Sequence, residues 1–423
     1  MRKLLNYMKP YYKSVILIIG VLIIQAFCDL ALPAYTSDIV NVGIQQGGID
    51  DKIPKVISEE EMDKLSLFLD EEQQEFIHYL YRRDEGRPYE YNGETLTLKS
   101  KKVTEDDIEK AADILGKPML LVEGIEAGKI EIRGQSGEGI FQLIETLPME
   151  QRLQILDKMQ KTLDKLPGNM IEQAAVVYIA KVYKEVGLNT NQLQIRYLLV
   201  TGIKMLVLSL VVLSSSVMVG FVSARVAAGV GKNLRFKVFK KVVGFSNTEF
   251  DHFSTASLIT RSTNDIQQIQ TLVVTLLRMV LYAPIMAVGG VVKVFHTNVD
   301  MSWIIGLAVI LIFIVVFFMF RITMPKFKSL QRLVDRLNLV TREILTGLPV
   351  IRAFSTEKFE EKRFDGANRD LTKTTLFVNR VMTFMMPMML LIMRVITVLV
   401  VWAGAKGIDQ GNMQVGDMMA FIQ

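Results

Sequence analysis

Arg394 sits in the run Met388–Ile396, a guanidinium among apolar side chains. A charge in such surroundings either recognises an oppositely charged ligand or neutralises a carboxylate on a neighbouring helix or a second subunit. Asp29 and Lys204 also fall within apolar runs and are placed to form an ion pair between adjacent helices. Met382, Met385, Met386, Met389 and Met393 recur at helical spacing around Pro387. Thioethers are unbranched and polarizable, so such a stripe can mould itself to varied apolar ligands; it can equally serve packing or lipid contact. Arg394, Met382, Met386, Met389 and Met393 are therefore candidate lining for a substrate cavity.

The residues for covalent or metal chemistry do not assemble into a pattern. Cys28 is the only cysteine, and His78 has no His or Cys neighbour with which to hold zinc. The sequence contains no G-x-x-x-x-G-K-[ST] phosphate loop; Gly411–Gly416 has the glycine spacing but continues Asp417-Met418. It contains no nucleophile elbow either. No catalytic residue and no metal ligand is expected, and this chain alone is not expected to hydrolyse ATP.

The elements that must position these side chains are membrane spans. Half of the 423 residues are hydrophobic and the mean hydropathy is +0.30, too apolar for an ordinary soluble domain. Long apolar runs cover Val15–Leu32, Tyr197–Val222, Val273–Val294, Trp303–Phe320 and Val381–Ile408. These approach or meet the roughly 20 residues a bilayer helix needs. A sixth run opens at Met418 and stops at Gln423, so the sequence reads as a fragment ending inside an element.

Two charged segments, Arg225–Ile269 and Arg321–Arg380, hang between these runs and read as helical hairpins. Arms of roughly 20–28 residues would carry the chain about 30–40 Å beyond the bilayer, far more than a turn requires. Arg225–Arg261 carries seven Lys and Arg against Glu249 and Asp251, Arg321–Arg380 carries thirteen, and Phe295–Ser302 and Asp409–Asp417 carry none. The positive-inside rule then predicts a multi-pass protein of the cell membrane with a cytoplasmic N-terminus and both hairpins in the cytoplasm. No cleavable signal is evident, so the first run is read as an anchor.

This topology places residues 48–195 outside. That stretch carries 19 Lys and Arg against 29 Asp and Glu, a net −10, while the remainder carries +15. The expected organisation is a first segment 1–47, an acidic α+β extracellular domain over 48–195, and spans two to five with the start of six over 196–423. Ser58-x-x-Glu61 and Thr104-x-x-Asp107 look like helix starts, the first as a capping box. Tyr89–Leu98 has strand-like residues either side of Asn92-Gly93 and reads as a hairpin. Met149–Leu166 and Met170–Val186 read as helices. Without disulfides, this domain must stand on its own core, which about 145 residues can supply.

Phe245–Ile266, Arg342–Phe364 and Leu32–Ile44 resemble, in turn, the first intracellular loop, the second intracellular loop and the outer end of the first helix of ABC exporter half-transporters. The likeness covers the chain apart from the acidic insert, which replaces a usually short connection. It implies the six-helix exporter membrane domain, here with a truncated sixth helix and a small α+β insert. It also implies a nucleotide-binding domain that binds ATP and Mg2+, a second half-transporter, identical or different, and alternation between inward- and outward-facing cavities. Short coupling helices would lie near Asn247–Phe253 and Phe354–Glu360. There Phe250, Phe253 and Phe359 would be knobs set into the ATPase. Asn247 and Ser355 would suit N-caps, Glu249 and Glu357 first helical turns, and Asp251, Phe354 and Glu360 would complete the contact.

Three classes of function compete. The membrane half of an ATP-driven exporter accounts for the hairpins and their likeness. A receptor whose external domain binds a ligand and signals inward leaves the hairpin sequences unexplained. A proton-coupled carrier calls for mid-membrane carboxylates, and beyond Asp29 there are none. The expected partners are a nucleotide-binding domain, a second half and the lipid bilayer, with no nucleic acid.

Overall fold

A computed structural model describes residues 6–83, 95–99, 103–128, 139–146, 168–246, 253–297 and 301–423. Five helical stretches are long and apolar enough to cross a membrane: Asn6–Gln45, Thr190–Val243, Thr255–Phe295, Ser302–Thr346 and Glu357–Asp409. Each contains one of the apolar runs read from the sequence. Only 6–22% of each one's most apolar window is buried within the chain, so most of that surface is left for lipid or for other protein. The chain divides into two compact units, Met1–Thr297 with Gly404–Gln423, and Asn298–Ala403.

In the first unit, α1 (Tyr12–Asp38) runs on through a π-helical stretch, Ile39–Gln45, into the insert. The insert holds β1 (Val56–Ser58), α2 (Glu59–Ser66), α3 (Glu71–Leu80), β2 (Tyr81–Arg83), β3 (Thr95–Leu98), α4 (Glu105–Glu126), α5 (Gly139–Thr146) and α6 (Gly168–Glu185). The chain returns through α7 (Thr190–Val243), α8 (Thr255–Thr260), α9 (Ile266–Thr275) and α10 (Tyr282–Thr297). The second unit contributes α11 (Ser302–Thr346), α12 (Leu348–Ala353) and most of α13 (Glu357–Asp409); α14 (Val415–Ile422) belongs to the first.

The three strands form an antiparallel sheet in the order β1-β3-β2, with Ile57 opposite Leu96 and Arg82 opposite Thr97. Around it Ile57, Met62, Leu65, Leu115, Met119, Ile125, Ile140, Tyr178 and Ile179 are buried in one continuous core. β3 falls inside the expected hairpin, and its partners are β1 and β2; the Asn92-Gly93 turn and the expected helix Met149–Leu166 lie outside the described residues. α6 matches the expected Met170–Val186 helix to within two residues.

Helix starts follow their caps. The Thr104 hydroxyl accepts the Asp107 N–H while Asp107 accepts the Thr104 N–H, a closed capping box, and Asp70 with Gln73 forms another that the sequence reading passes over. At Ser58 the expected box stays half open. The Ser58 hydroxyl caps Glu61 N–H, but the Glu61 carboxylate turns into the core instead of back to the cap. Its partners there are the Lys64 ammonium and the Tyr178 hydroxyl.

A second core, built from Ile18, Leu22, Val219, Val226, Val230, Val273 and Leu277, joins α1, α7 and α9. The small residues at its crossings set the spacing. A Cβ on Gly231 would meet the Gln270 side chain at 2.1 Å, so any larger residue there would have to displace that side chain between α7 and α9.

In the second unit α11 and α13 are the arms of a hairpin. Glu343 pairs with Arg363, each ten residues from Ala353, and Arg336 pairs with Asp370 at 3.2 Å, each seventeen residues from Ala353. Equal offsets on both sides fix an antiparallel register with its tip at Ala353.

Candidate functional site

The tip of this hairpin departs from expectation in its local structure. The separate short helix is α12, Leu348–Ala353, ahead of the expected Phe354–Glu360. Gly347 ends α11 and Pro349 occupies the first turn of α12, where a missing N–H costs nothing. Ser355, expected as an N-cap, instead takes the turn, with φ +52°. α13 begins at Glu357, with Thr356 accepting the N–H groups of Phe359 and Glu360. Phe354 and Phe359 are 75% and 68% exposed, large rings presented to whatever lies beyond the tip. Glu357 is exposed in the first turn of α13, whereas Glu360 is tied to Arg363 at 3.4 Å, which also holds Glu343.

At the other hairpin α7 ends at Val243. Phe245 stacks on Phe253 with centroids 5.7 Å apart and an angle of 12°, and Arg261 lies over the Phe253 ring at 5.3 Å. Phe253, expected as a knob, is half-buried with these two ring contacts, and Ser254 caps the helix that follows. Asn247, Glu249, Phe250 and Asp251 lie outside the described residues.

At membrane depth the expected Asp29–Lys204 pair does not form. The Asp29 carboxylate accepts the hydroxyl of Tyr282, and the carboxylates within reach of the Lys204 charge are Asp38 and Asp50. Helical phase decides this: Asp29 faces α10, not α7. Arg394 is exposed in the single chain and has no ion pair among the described residues. Met382, Met385, Met386 and Met393 are exposed and Met389 is half-buried, so the stripe is open along α13.

Sequence reasoning passes over two features. Arg278, in the π-helical turn Leu276–Val280, lines a cavity of about 370 Å3 with Gln25, Ser216 and Tyr282. The signal was an arginine inside an apolar run. The second is a polar knot between α1 and α14. The Ser37 hydroxyl donates to Asp417 at 2.7 Å, the Asn41 amide donates to Ser37 and Asp417 at 3.1 and 3.2 Å, and Gly416 N–H donates to Asn41 Oδ1 at 2.7 Å. A Cβ on Gly416 would come within 2.5 Å of Ser37 O and Asn41 Oδ1, so glycine is required there.

The insert carries the strongest electrostatics. Glu61, buried, binds Lys64 at 2.6 Å and accepts the Tyr178 hydroxyl at 2.7 Å; Glu126 takes Lys64 at 2.9 Å and also Lys181. Burial pushes the Glu126 carboxyl up, but hydrogen bonds from Lys181 and Lys64 outweigh it and hold it below the ordinary range. Burial pushes Glu185 up, and the nearby Glu61 charge adds to this. A cavity of about 520 Å3 has Asp38, Asp50, Asp51, Asp113, Glu172 and Asp417 among its lining; burial and then Asp51 raise the Asp50 pKa. Among the described residues no group of three His, Cys, Asp or Glu is placed to hold a metal ion.

Residues 166–423 match the ABC transporter transmembrane region. The chain belongs to this family. An uncharacterized ABC transporter ATP-binding protein of Mycobacterium tuberculosis is 34% identical over 202 residues, 48% of this chain and 35% of that protein. The uncharacterized ABC transporter ATP-binding protein YfiB of Bacillus subtilis is 31% identical over 228 residues, 54% and 40% of the two chains. An ATP-dependent lipid A-core flippase of Pseudomonas aeruginosa is 27% identical over 210 residues, 48% and 33%. The chain spans between a third and two fifths of the length of these relatives. It is a multi-pass membrane protein and a transporter membrane region. Residues 1–165, with the first span and most of the insert, precede the family match.

Proposed function

We propose that this ABC transporter membrane region is half of an ATP-driven exporter, paired with a second half and coupled to nucleotide-binding domains through its two hairpins. ATP and Mg2+ belong to those domains, and no residue of this chain is assigned to either. The observation that carries the reading is the α11–α13 hairpin. Beyond the apolar part of α11, Arg321–Thr346 extends about 39 Å, and Glu357–Arg380 returns about 36 Å. Its exposed Phe354 and Phe359 then stand well clear of a membrane, where a soluble motor domain can seat them. The positive charges of both hairpins assign this side to the cytoplasm and residues 48–195 to the exterior.

In this scheme nucleotide-driven approach of the motor domains pulls on the hairpin tips, and the stiff arms transmit the displacement to the spans. The polar knot of Ser37, Asn41 and Asp417 couples α1 to α14 at the far end. The substrate path uses the surfaces that the single chain leaves open, Arg394 and the methionine stripe of α13. One relative is named a lipid A-core flippase, which makes a lipid-like amphiphile the first cargo to try.

The test is coupling. In the full-length transporter Phe359→Ala or Phe250→Ala should leave nucleotide binding intact and reduce cargo-stimulated ATP hydrolysis. Unchanged stimulation in both variants would remove these rings from the interface.

A further inference from the structure

A cavity of about 850 Å3 lies where the insert meets the ends of two spans. Its floor is Ile44–Gly47, at the end of the span Asn6–Gln45, together with Thr190–Asn191 and Gln194, at the start of the span Thr190–Val243. Both helices are long and apolar enough to cross a membrane, and the cavity lies at the ends of these stretches.

Its wall is a second face of α6. Ala175, Tyr178, Ile179 and Val182 point into the insert core, while Val176, Val177, Ala180, Lys181 and Lys184 line the cavity. Val177 is 55% exposed and Ile44 59% exposed, apolar surface that the described residues leave open. The charge on the lining is unlike that of its surroundings. Two lysines and no carboxylate line it, in a segment of net −10, while the neighbouring cavity has seven carboxylates against two lysines. Lys181 is held by Glu126 and by Glu185 at 3.7 Å; Lys184 is exposed and has no ion pair among the described residues.

We propose that this cavity binds an acidic phospholipid of the adjoining leaflet, its acyl chain against Val176, Val177, Ala180 and Ile44 and its phosphate at Lys184. The volume suits a partly enclosed amphiphile. An apolar helix face with lysines at its margin is how helices sit in the headgroup layer, the stems on the acyl boundary and the ammonium groups among phosphates. With Lys181 paired, the Lys184 ammonium is the charge left to a headgroup, and it favours an acidic one over a zwitterionic one. Occupancy would seat the insert on the membrane by its α6 face and link the local lipid composition to the ends of α1 and α7. The proposal does not depend on transport.

The experiment uses the full-length chain with Val177→Trp, in phosphatidylcholine vesicles containing either brominated phosphatidylglycerol or brominated phosphatidylcholine. Quenching is read as the difference from the parent, which subtracts Trp303 and Trp402. Brominated phosphatidylglycerol should quench the reporter more strongly, and Lys184→Gln should lower that preference about fivefold. Lys184 makes no ion pair among the described residues, so this change leaves the Glu61–Lys64–Glu126–Lys181 network in place. A Lys184→Glu variant should abolish the preference. Equal quenching by the two lipids would mean simple immersion without headgroup recognition, and no quenching by either would mean a cavity that faces water. Either result, or a preference unchanged in both Lys184 variants, overturns the proposal.

Discussion

The insert and the α11–α13 hairpin use charge in opposite ways. In the insert, Glu61, Lys64 and Glu126 are largely buried, and each carboxylate meets more than one donor. In the hairpin, the Glu343–Arg363 and Arg336–Asp370 side chains are 43–59% exposed. Buried pairs become expensive to break once made, because losing one partner strands the other in a low dielectric. Exposed pairs contribute little to stability and serve to set register. The insert has its own apolar core, whereas the hairpin displays Phe313, Phe317, Met386 and Trp402 to its surroundings. One region is held from inside; the other is completed by what it meets.

The widest separation between them is autonomy. A segment from about Asp50 to Thr190 should give a soluble, cooperative unfolding transition by circular dichroism, with no metal and no disulfide. Residues 298–403 alone should need detergent or lipid to remain monodisperse. A random-coil spectrum for the insert segment would erase the contrast, placing its core under the control of the spans with which it forms one compact unit.

Next comes the network. Glu126→Gln leaves Lys64 and Lys181 partly buried with one acceptor fewer, and should cost about 3 kcal/mol in urea unfolding of the insert. Arg336→Gln should not measurably shift the thermal midpoint of the full chain. Similar losses at both positions would show that the exposed hairpin pairs carry weight that their surroundings do not explain.

The smallest effect is in pH. Glu126 has a folded pKa below its unfolded value near 4.5, so its contribution is complete above that value and lost as pH falls through the folded pKa. Glu185 and Asp50 have raised folded pKa values, so their contributions are present in acid and lost as pH rises through the folded values. The insert should therefore lose stability below about pH 4.5, with Glu185 and Asp50 softening the loss. In Glu126→Gln the acid-side slope should flatten. An unchanged slope would assign acid sensitivity to other carboxylates.

Much of this architecture is legible along the chain. Hydropathy marks five spans because desolvation of consecutive side chains is local and additive. Thr104-x-x-Asp107 announces its helix because a capping box involves only four residues. The hairpin arms follow from the length of Arg321–Arg380, and the ion pairs about Ala353 agree with it. The candidate sites are less legible. Phe253 has the right type and place for a knob, and nothing along the chain announces its ring contacts with Phe245 and Arg261. The short helix moves to Leu348–Ala353 because Gly347 and Pro349 punctuate the chain before Phe354 does.

The sequence by itself determined where this protein enters and leaves the membrane, how long its hairpins are and which segment is acidic. These are sums over neighbours in the chain. Tertiary structure alone decided that Asp29 answers to Tyr282, that Glu61 leaves its cap for Lys64 and Tyr178, and that Ser37, Asn41 and Asp417 meet across residues more than 370 positions apart. It also decided that two lysines of an acidic segment gather on one cavity, Lys181 tied to Glu126 and Glu185 and Lys184 exposed. In a low dielectric a polar group takes the partner that packing brings within about 3 Å, and which partner that is depends on helix phase and crossing, not on distance along the chain.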